Sequence, residues 1–145
     1  MGGKISDSEM EKYIEGWRRR ADQARRRMEE QAREAFAAAK RLAGMLAAEP
    51  GVRRVWLYGS LAGYFKGYRR FEEDSDIDLA VEGLSPKEYF PVLARLNREL
   101  ERNVDLIDLD ACPAALKEAV QERGILLYER PEPAADPCQR TAGPG

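Results

Sequence analysis

Val55-Trp56-Leu57-Tyr58-Gly59-Ser60, followed after a loop by Ser75-Asp76-Ile77-Asp78-Leu79-Ala80, is the stretch that decides the fold of this chain. The apolar run from Val55 to Tyr58 reads as a buried strand ending in a tight turn at Gly59-Ser60. Glycine lets the backbone come close to a ligand. A short helix starting at Ser60 would turn its free N–H groups and the serine hydroxyl toward phosphate. The second run reads as another strand. Side chains alternate faces along a strand, so Asp76 and Asp78 point one way while Ile77, Leu79 and Val81 point into a core. Two carboxylates side by side repel each other, and a divalent cation between them makes the arrangement favourable. Hard oxygen ligands suit magnesium.

Gly-Ser alone carries little, and Asp-x-Asp alone is more often a solvated strand edge or turn. Their weight comes from their order along the chain. That order, strand, Gly-Ser, short helix, then Asp-x-Asp on the next strand, resembles the nucleotidyltransferase superfamily with the DNA polymerase beta-like fold. The resemblance is greatest to the minimal nucleotidyltransferases that act as antitoxins of HEPN-type toxins, and it covers roughly Val52 to Tyr128. It implies an α/β fold with a mixed sheet. It also implies a third carboxylate from a later strand, and Val104-Asp105-Leu106-Ile107-Asp108-Leu109 fits with Asp105 in that place. Asp105 and Asp108 face opposite sides of a strand, so only one of them can join the site, and the family pattern selects Asp105.

The family's usual arginine a few residues past Gly-Ser is missing. Leu61-Ala62-Gly63-Tyr64 stands there instead, followed by the basic-aromatic loop Phe65-Lys66-Gly67-Tyr68-Arg69-Arg70-Phe71. Lys66, Arg69 and Arg70 are the candidates to bring a cation to the triphosphate; the competing account is a solvated surface loop. Glu72-Glu73-Asp74 solvates the same loop.

What the resemblance implies for chemistry is magnesium-dependent transfer of AMP from ATP to a hydroxyl. Two magnesium ions would be held by Asp76 and Asp78, with Asp105 binding one of them and accepting the hydroxyl proton. Gly59 and Ser60 would hold the phosphates. The implied acceptor is a tyrosine of a cognate HEPN toxin, which makes this chain an antitoxin. Two rivals are a non-catalytic antitoxin that acts by binding alone and a small-molecule, aminoglycoside-type nucleotidyltransferase. Transferases of the latter kind usually append a helical domain, whereas this chain ends soon after Tyr128, which favours a macromolecular acceptor.

The chain has 145 residues, 43% of them apolar, and a net charge of -2, enough for one modest core but not for two. No apolar run is long enough to span a bilayer and no charged-then-apolar leader opens the chain, so a cytoplasmic protein is expected. Cys112 and Cys138 form neither a disulfide framework nor a metal-ligand pattern, and the absence of histidine removes most zinc and Ser-His chemistries.

Three parts are expected: a long partner-binding N-terminal helix over 1–50, a minimal nucleotidyltransferase domain over 51–130, and a disordered tail over 131–145, rich in proline, alanine and glycine. The helix runs from about Asp7 to Ala48, opened by the capping-box-like Ser6-Asp7-Ser8-Glu9 and stopped by Pro50-Gly51. Met10, Ile14, Trp17, Ala21, Ala24, Met28, Ala35, Ala38, Leu42 and Met45 recur at alternating spacings of three and four, with Gln31 the single polar member. Such a seam wants a partner, a second copy or the toxin. Arg18-Arg19-Arg20 and Arg25-Arg26-Arg27 interrupt the surface. Acidic residues intervene, and residues 1–50 net only +2 from 11 basic and 9 acidic side chains, which describes a mixed-charge solvated helix rather than a nucleic-acid face. After Asp78 the order is a strand to about Glu82, a helix from Ser85-Pro86 to Arg102 with Pro91 in conflict, the strand at Val104, a helix from Pro113 to Arg123, and a strand from Ile125 to Tyr128.

Overall fold

A computed structural model describes residues 6–72 and 75–131. The tail expected over 131–145 falls almost wholly outside the described residues, as do Glu73, Asp74 and Cys138. A 41-residue helix, α1 (Asp7–Ala47), leads into strand β1 (Arg54–Tyr58), helix α2 (Gly59–Phe65) and strand β2 (Ile77–Glu82). Helix α3 (Tyr89–Glu99), strand β3 (Val104–Asp108), helix α4 (Ala114–Arg123) and strand β4 (Ile125–Glu129) complete the order. The four strands form one sheet in the order β3-β2-β1-β4; β1 runs antiparallel to both neighbours, and β2 is parallel to β3. This is the mixed-sheet α/β architecture with a long N-terminal helix that the motif order implies.

Strand alternation divides the sheet into two faces. Val55, Leu57, Ile77, Leu79, Val81, Val104 and Leu106 are buried on one face, where Ala35, Ala39, Leu42 and Leu46 of α1 and Val92 and Leu96 of α3 cover them. Removing this apolar surface from water is the main stabilising term of the fold. On the other face Ala80 packs with Leu109 and Val120, flanked by Trp56, Tyr58 and Ile107, so α4 covers only part of it. The uncovered remainder of that face carries the polar residues of the sheet.

Ser6 caps α1 through its hydroxyl, which accepts from the Glu9 N–H, while Glu9 reaches back to the Ser6 N–H, completing the capping box. The buried part of α1 begins at Ala32. Ala35, Ala38 and Leu42 of the seam lie inside it, but so do Ala32, Ala39, Ala43 and Leu46, because a sheet covers a wider strip of a helix than a single partner helix does. Ahead of Ala32 the helix stands clear, with Met10, Tyr13, Ile14 and Trp17 exposed.

The helix expected from Pro86 to Arg102 is shorter and interrupted. Pro86–Glu88 form a 3-10 turn, and α3 then starts at Tyr89, which puts Pro91 in its first turn, where no intrahelical N–H is needed. It stops at Glu99, and Asn97 ties its last turn to the next strand. Its amide donates to the carbonyls of Leu93 at 3.0 Å and Val104 at 3.1 Å, and its oxygen accepts from the Val104 N–H at 2.9 Å. Among the described residues no helix is long and apolar enough to cross a membrane.

Candidate active site

Tyr58, Asp78 and Asp105 stand in one row across the sheet. Tyr58 is the register partner of Asp78 in the β1–β2 ladder, and Asp78 is that of Asp105 in the β2–β3 ladder. Partners of this kind bring their Cβ atoms to about 5 Å. The row lies on the face that α4 leaves partly open. The Asp78 carboxyl is half-buried and pushed up to about 6, first by desolvation, then by the charges of Asp105 and Asp76, with Arg69 acting in the opposite direction. The Tyr58 hydroxyl is pushed up as well, by burial first and then by Asp78 and Asp105, so it remains a protonated donor beside the carboxylates.

β2 begins at Ile77, so strand alternation aligns Asp78 with the row while Asp76 sits just ahead of the ladder. Asp76 is exposed and borders a separate hollow of about 600 Å³ with Ser75, Arg102 and Asn103. Arg102 ties this entry to β2 in place: its guanidinium donates to the Ser75 carbonyl at 3.0 Å and lies over the Phe71 ring at 5.3 Å. Asp105 is exposed, and Asp108 is engaged elsewhere, accepting from the Asp110 N–H at 3.0 Å. The Tyr89 hydroxyl donates to the Leu106 carbonyl, which together with Asn97 holds β3, and Asp105 with it, against the body.

A cavity of about 850 Å³ opens over Tyr58 and Asp78, while Asp105 continues the row outside its lining. Tyr58, Gly59 and Asp78 form its floor, Tyr68 and Arg69 line it from the loop, and Leu116, Ala119, Val120 and Arg123 of α4 form the opposite wall. Gly59 sits at φ +76, and a Cβ there would collide with Asp78 Oδ2 and come within 2.9 Å of its Cγ. Only glycine lets the turn lie against the carboxylate. Gly63 plays a similar part for the loop: its missing Cβ leaves room for the Arg69 side chain, whose Cβ and Cγ would lie 3.1 Å away.

The three loop cations differ in placement. Arg69 lines the cavity and its charge reaches Asp78. Lys66 donates instead to the Glu122 carbonyl at the end of α4, at 3.3 Å, and Arg70 is exposed outside the lining. Ser60 is half-buried in the first turn of α2 and is likewise not among the lining residues.

The donor set around Asp78 consists of carboxylate oxygens that repel one another, which is the chemistry a hard divalent cation relieves. Among the described residues no three acidic or thiol side chains stand close enough together to enclose an ion. Tyr58, Asn97 and the α4 wall are the parts of the site that the motifs do not announce. Tyr58 could have been found, since it precedes Gly59 on the same strand face as Trp56. The α4 wall lies about 60 residues downstream and carries no motif.

Among solved structures, a toxin-antitoxin crystal structure with AMP-PNP is 25% identical, covers 64% of this chain and 73% of its own, and superposes with a TM-score of 0.51. A complex of tri-AMPylated Shewanella oneidensis HEPN toxin with MNT antitoxin is 20% identical over 71% of this chain and 73% of its own, with a TM-score of 0.44. The toxin-antitoxin MntA-HepT is 20% identical over 70% of this chain and 73% of its own, at 0.45. No curated protein matches the chain. The family model described as polymerase beta, nucleotidyltransferase matches residues 40–133, which span β1 to β4 together with the last turns of α1 and every residue of the row. The chain belongs to the polymerase beta nucleotidyltransferase family.

Proposed function

We propose that the chain is a divalent-cation-dependent nucleotidyltransferase that moves AMP from ATP to a hydroxyl of a protein acceptor, a tyrosine of a HEPN-type toxin, and so acts as that toxin's antitoxin. The observation that carries this reading is the row Tyr58, Asp78, Asp105, whose first two members floor the cavity, with Gly59 folded against Asp78. The cavity is of nucleotide size. The resemblance to a toxin-antitoxin structure holding AMP-PNP supports both the nucleotide and the setting.

Asp78 and Asp105 would hold the cation, with Asp76 completing the set; magnesium, as two ions, fits their oxygen donors. When bound, it supplies charge neutralisation at the attacking and leaving oxygens. Asp105, the most open carboxylate of the row, accepts the proton of the incoming hydroxyl as its oxygen attacks the α-phosphorus. The bond to the β-phosphate oxygen breaks and pyrophosphate leaves. Arg69 faces the triphosphate in place of the family's arginine, the backbone at Gly59 approaches it, and Tyr58 donates from the floor. A tyrosine acceptor carried on another protein brings its own surface to the open face of the sheet.

The test is incubation of the purified protein with ATP, magnesium and the product of the adjacent gene, followed by intact-mass measurement of both. The expected result is a mass gain of one or more AMP units on the neighbour, abolished by Asp78→Asn. Tight complex formation with no mass gain would leave the binding-only antitoxin as the correct account.

A further inference from the structure

The exposed half of α1 has a property that its exposure alone does not require. Met10, Ile14, Trp17, Ala21, Ala24 and Met28 are spaced 4, 3, 4, 3, 4, a series that reads the same from either end about Arg19. At 100° per residue all six fall within one narrow stripe. The stripe runs on into the part of the helix that the sheet covers from Ala32. Met10, Ile14 and Trp17 are open to solvent, and Met28 is half-buried at the junction.

We propose that this half of α1 pairs with the same segment of a second copy, antiparallel and centred on Arg19. In that register Trp17 meets Ala21, Ile14 meets Ala24 and Met10 meets Met28 of the other copy. The two bulkiest members of the stripe each face an alanine, so the layers fill without a clash or a void. The length also fits. Residue 7 of one copy lies opposite residue 31 of the other, so the overlap covers the segment the sheet leaves bare and stops where it begins to cover α1.

The flanks favour the same arrangement. Glu11 meets Arg25 of the other copy, and Tyr13 meets Arg27, each contact occurring twice in the symmetric pair. Arg18 and Arg20 face their own counterparts near the axis, where long exposed side chains can turn outward into water. A parallel pair would instead set Trp17 against Trp17 and leave alanine layers empty. This inference does not depend on the nucleotidyl-transfer chemistry.

Light scattering on the full chain alone tests it, with the mass of two chains as the expected result. A one-chain mass at every concentration overturns it. Ile14→Glu with Trp17→Glu should give one-chain particles with unchanged helical circular dichroism. Glu11→Arg and Arg25→Glu should each weaken pairing about tenfold, since two exposed pairs turn from attractive to repulsive. The combined Glu11→Arg, Arg25→Glu protein should recover it, and a combined variant no better than either single one contradicts the register. A spin label at Ser8→Cys, with Cys112 and Cys138 changed to serine, reads the direction. Antiparallel pairing places the labels about 33 Å apart along the axis. A separation of about 10 Å would mean a parallel pair and overturn the proposal.

Discussion

Asp78 is the residue on which chemistry and stability meet. Its folded pKa of about 6 lies above the ordinary value of 3.8, so between these pH values the folded protein binds more protons than the unfolded chain. Stability from this group therefore falls as pH rises through that window and stays lower above it. Asp78→Asn should melt at a higher temperature than the parent at pH 7 without metal, with the gap closing as pH drops toward 4. It should also cost about 100-fold or more in transfer rate, as loss of a preorganised electrostatic group does. For the same reason, magnesium-dependent nucleotide binding should weaken as pH falls through about 6, because protons then compete for the carboxylate. Gly59→Ala should act on both properties at once: φ +76 and the collision with Asp78 Oδ2 make it destabilising by about 1 kcal/mol or more, measurable by urea unfolding. Among the loop cations, Arg69→Ala should raise the KM for ATP about tenfold or more. Lys66→Ala and Arg70→Ala should change it little, since neither lines the cavity.

Strands and turns were the most legible elements, since alternation and punctuation are local. The Gly-Ser turn, the Asp-x-Asp strand and the later Val-Asp-Leu strand could be placed within a residue or two. Their pairing could not. That Asp78 lies level with Asp105, and Tyr58 with Asp78, is a matter of register, which depends on contacts distant in sequence. Helix ends were harder. Nothing local announces that the Asn97 side chain bonds β3 from within α3, so the sequence alone carries the helix on to Arg102. Nor does a seam of period 3.5 reveal that α1 meets a sheet, which adds Ala39, Ala43 and Leu46 to the buried set. Asn97→Leu removes one hydrogen bond to Leu93 within α3 and two to Val104 at the start of β3, and should destabilise by about 1–3 kcal/mol. It should also lower the transfer rate more than it changes the KM for ATP, because Asp105 lies one residue on.

At the scale of the whole molecule, the sheet separates its two tasks. One face, under α1 and α3, supplies the core; the other presents the carboxylate row, with Asp78 at the floor of a cavity walled by the loop and α4. The fold class was legible because one motif order dictates it, while the cavity wall was not, because α4 reaches the site only through packing. On the proposed function, this row binds nucleotide together with a divalent cation. Calorimetric titration of AMP-PNP into the protein with and without magnesium, for the parent and for Asp78→Asn with Asp105→Asn, tests it most directly. Magnesium-dependent binding is expected for the parent and its loss for the double variant, with the fold intact by circular dichroism. Equal binding by both proteins, or binding indifferent to magnesium, would contradict it.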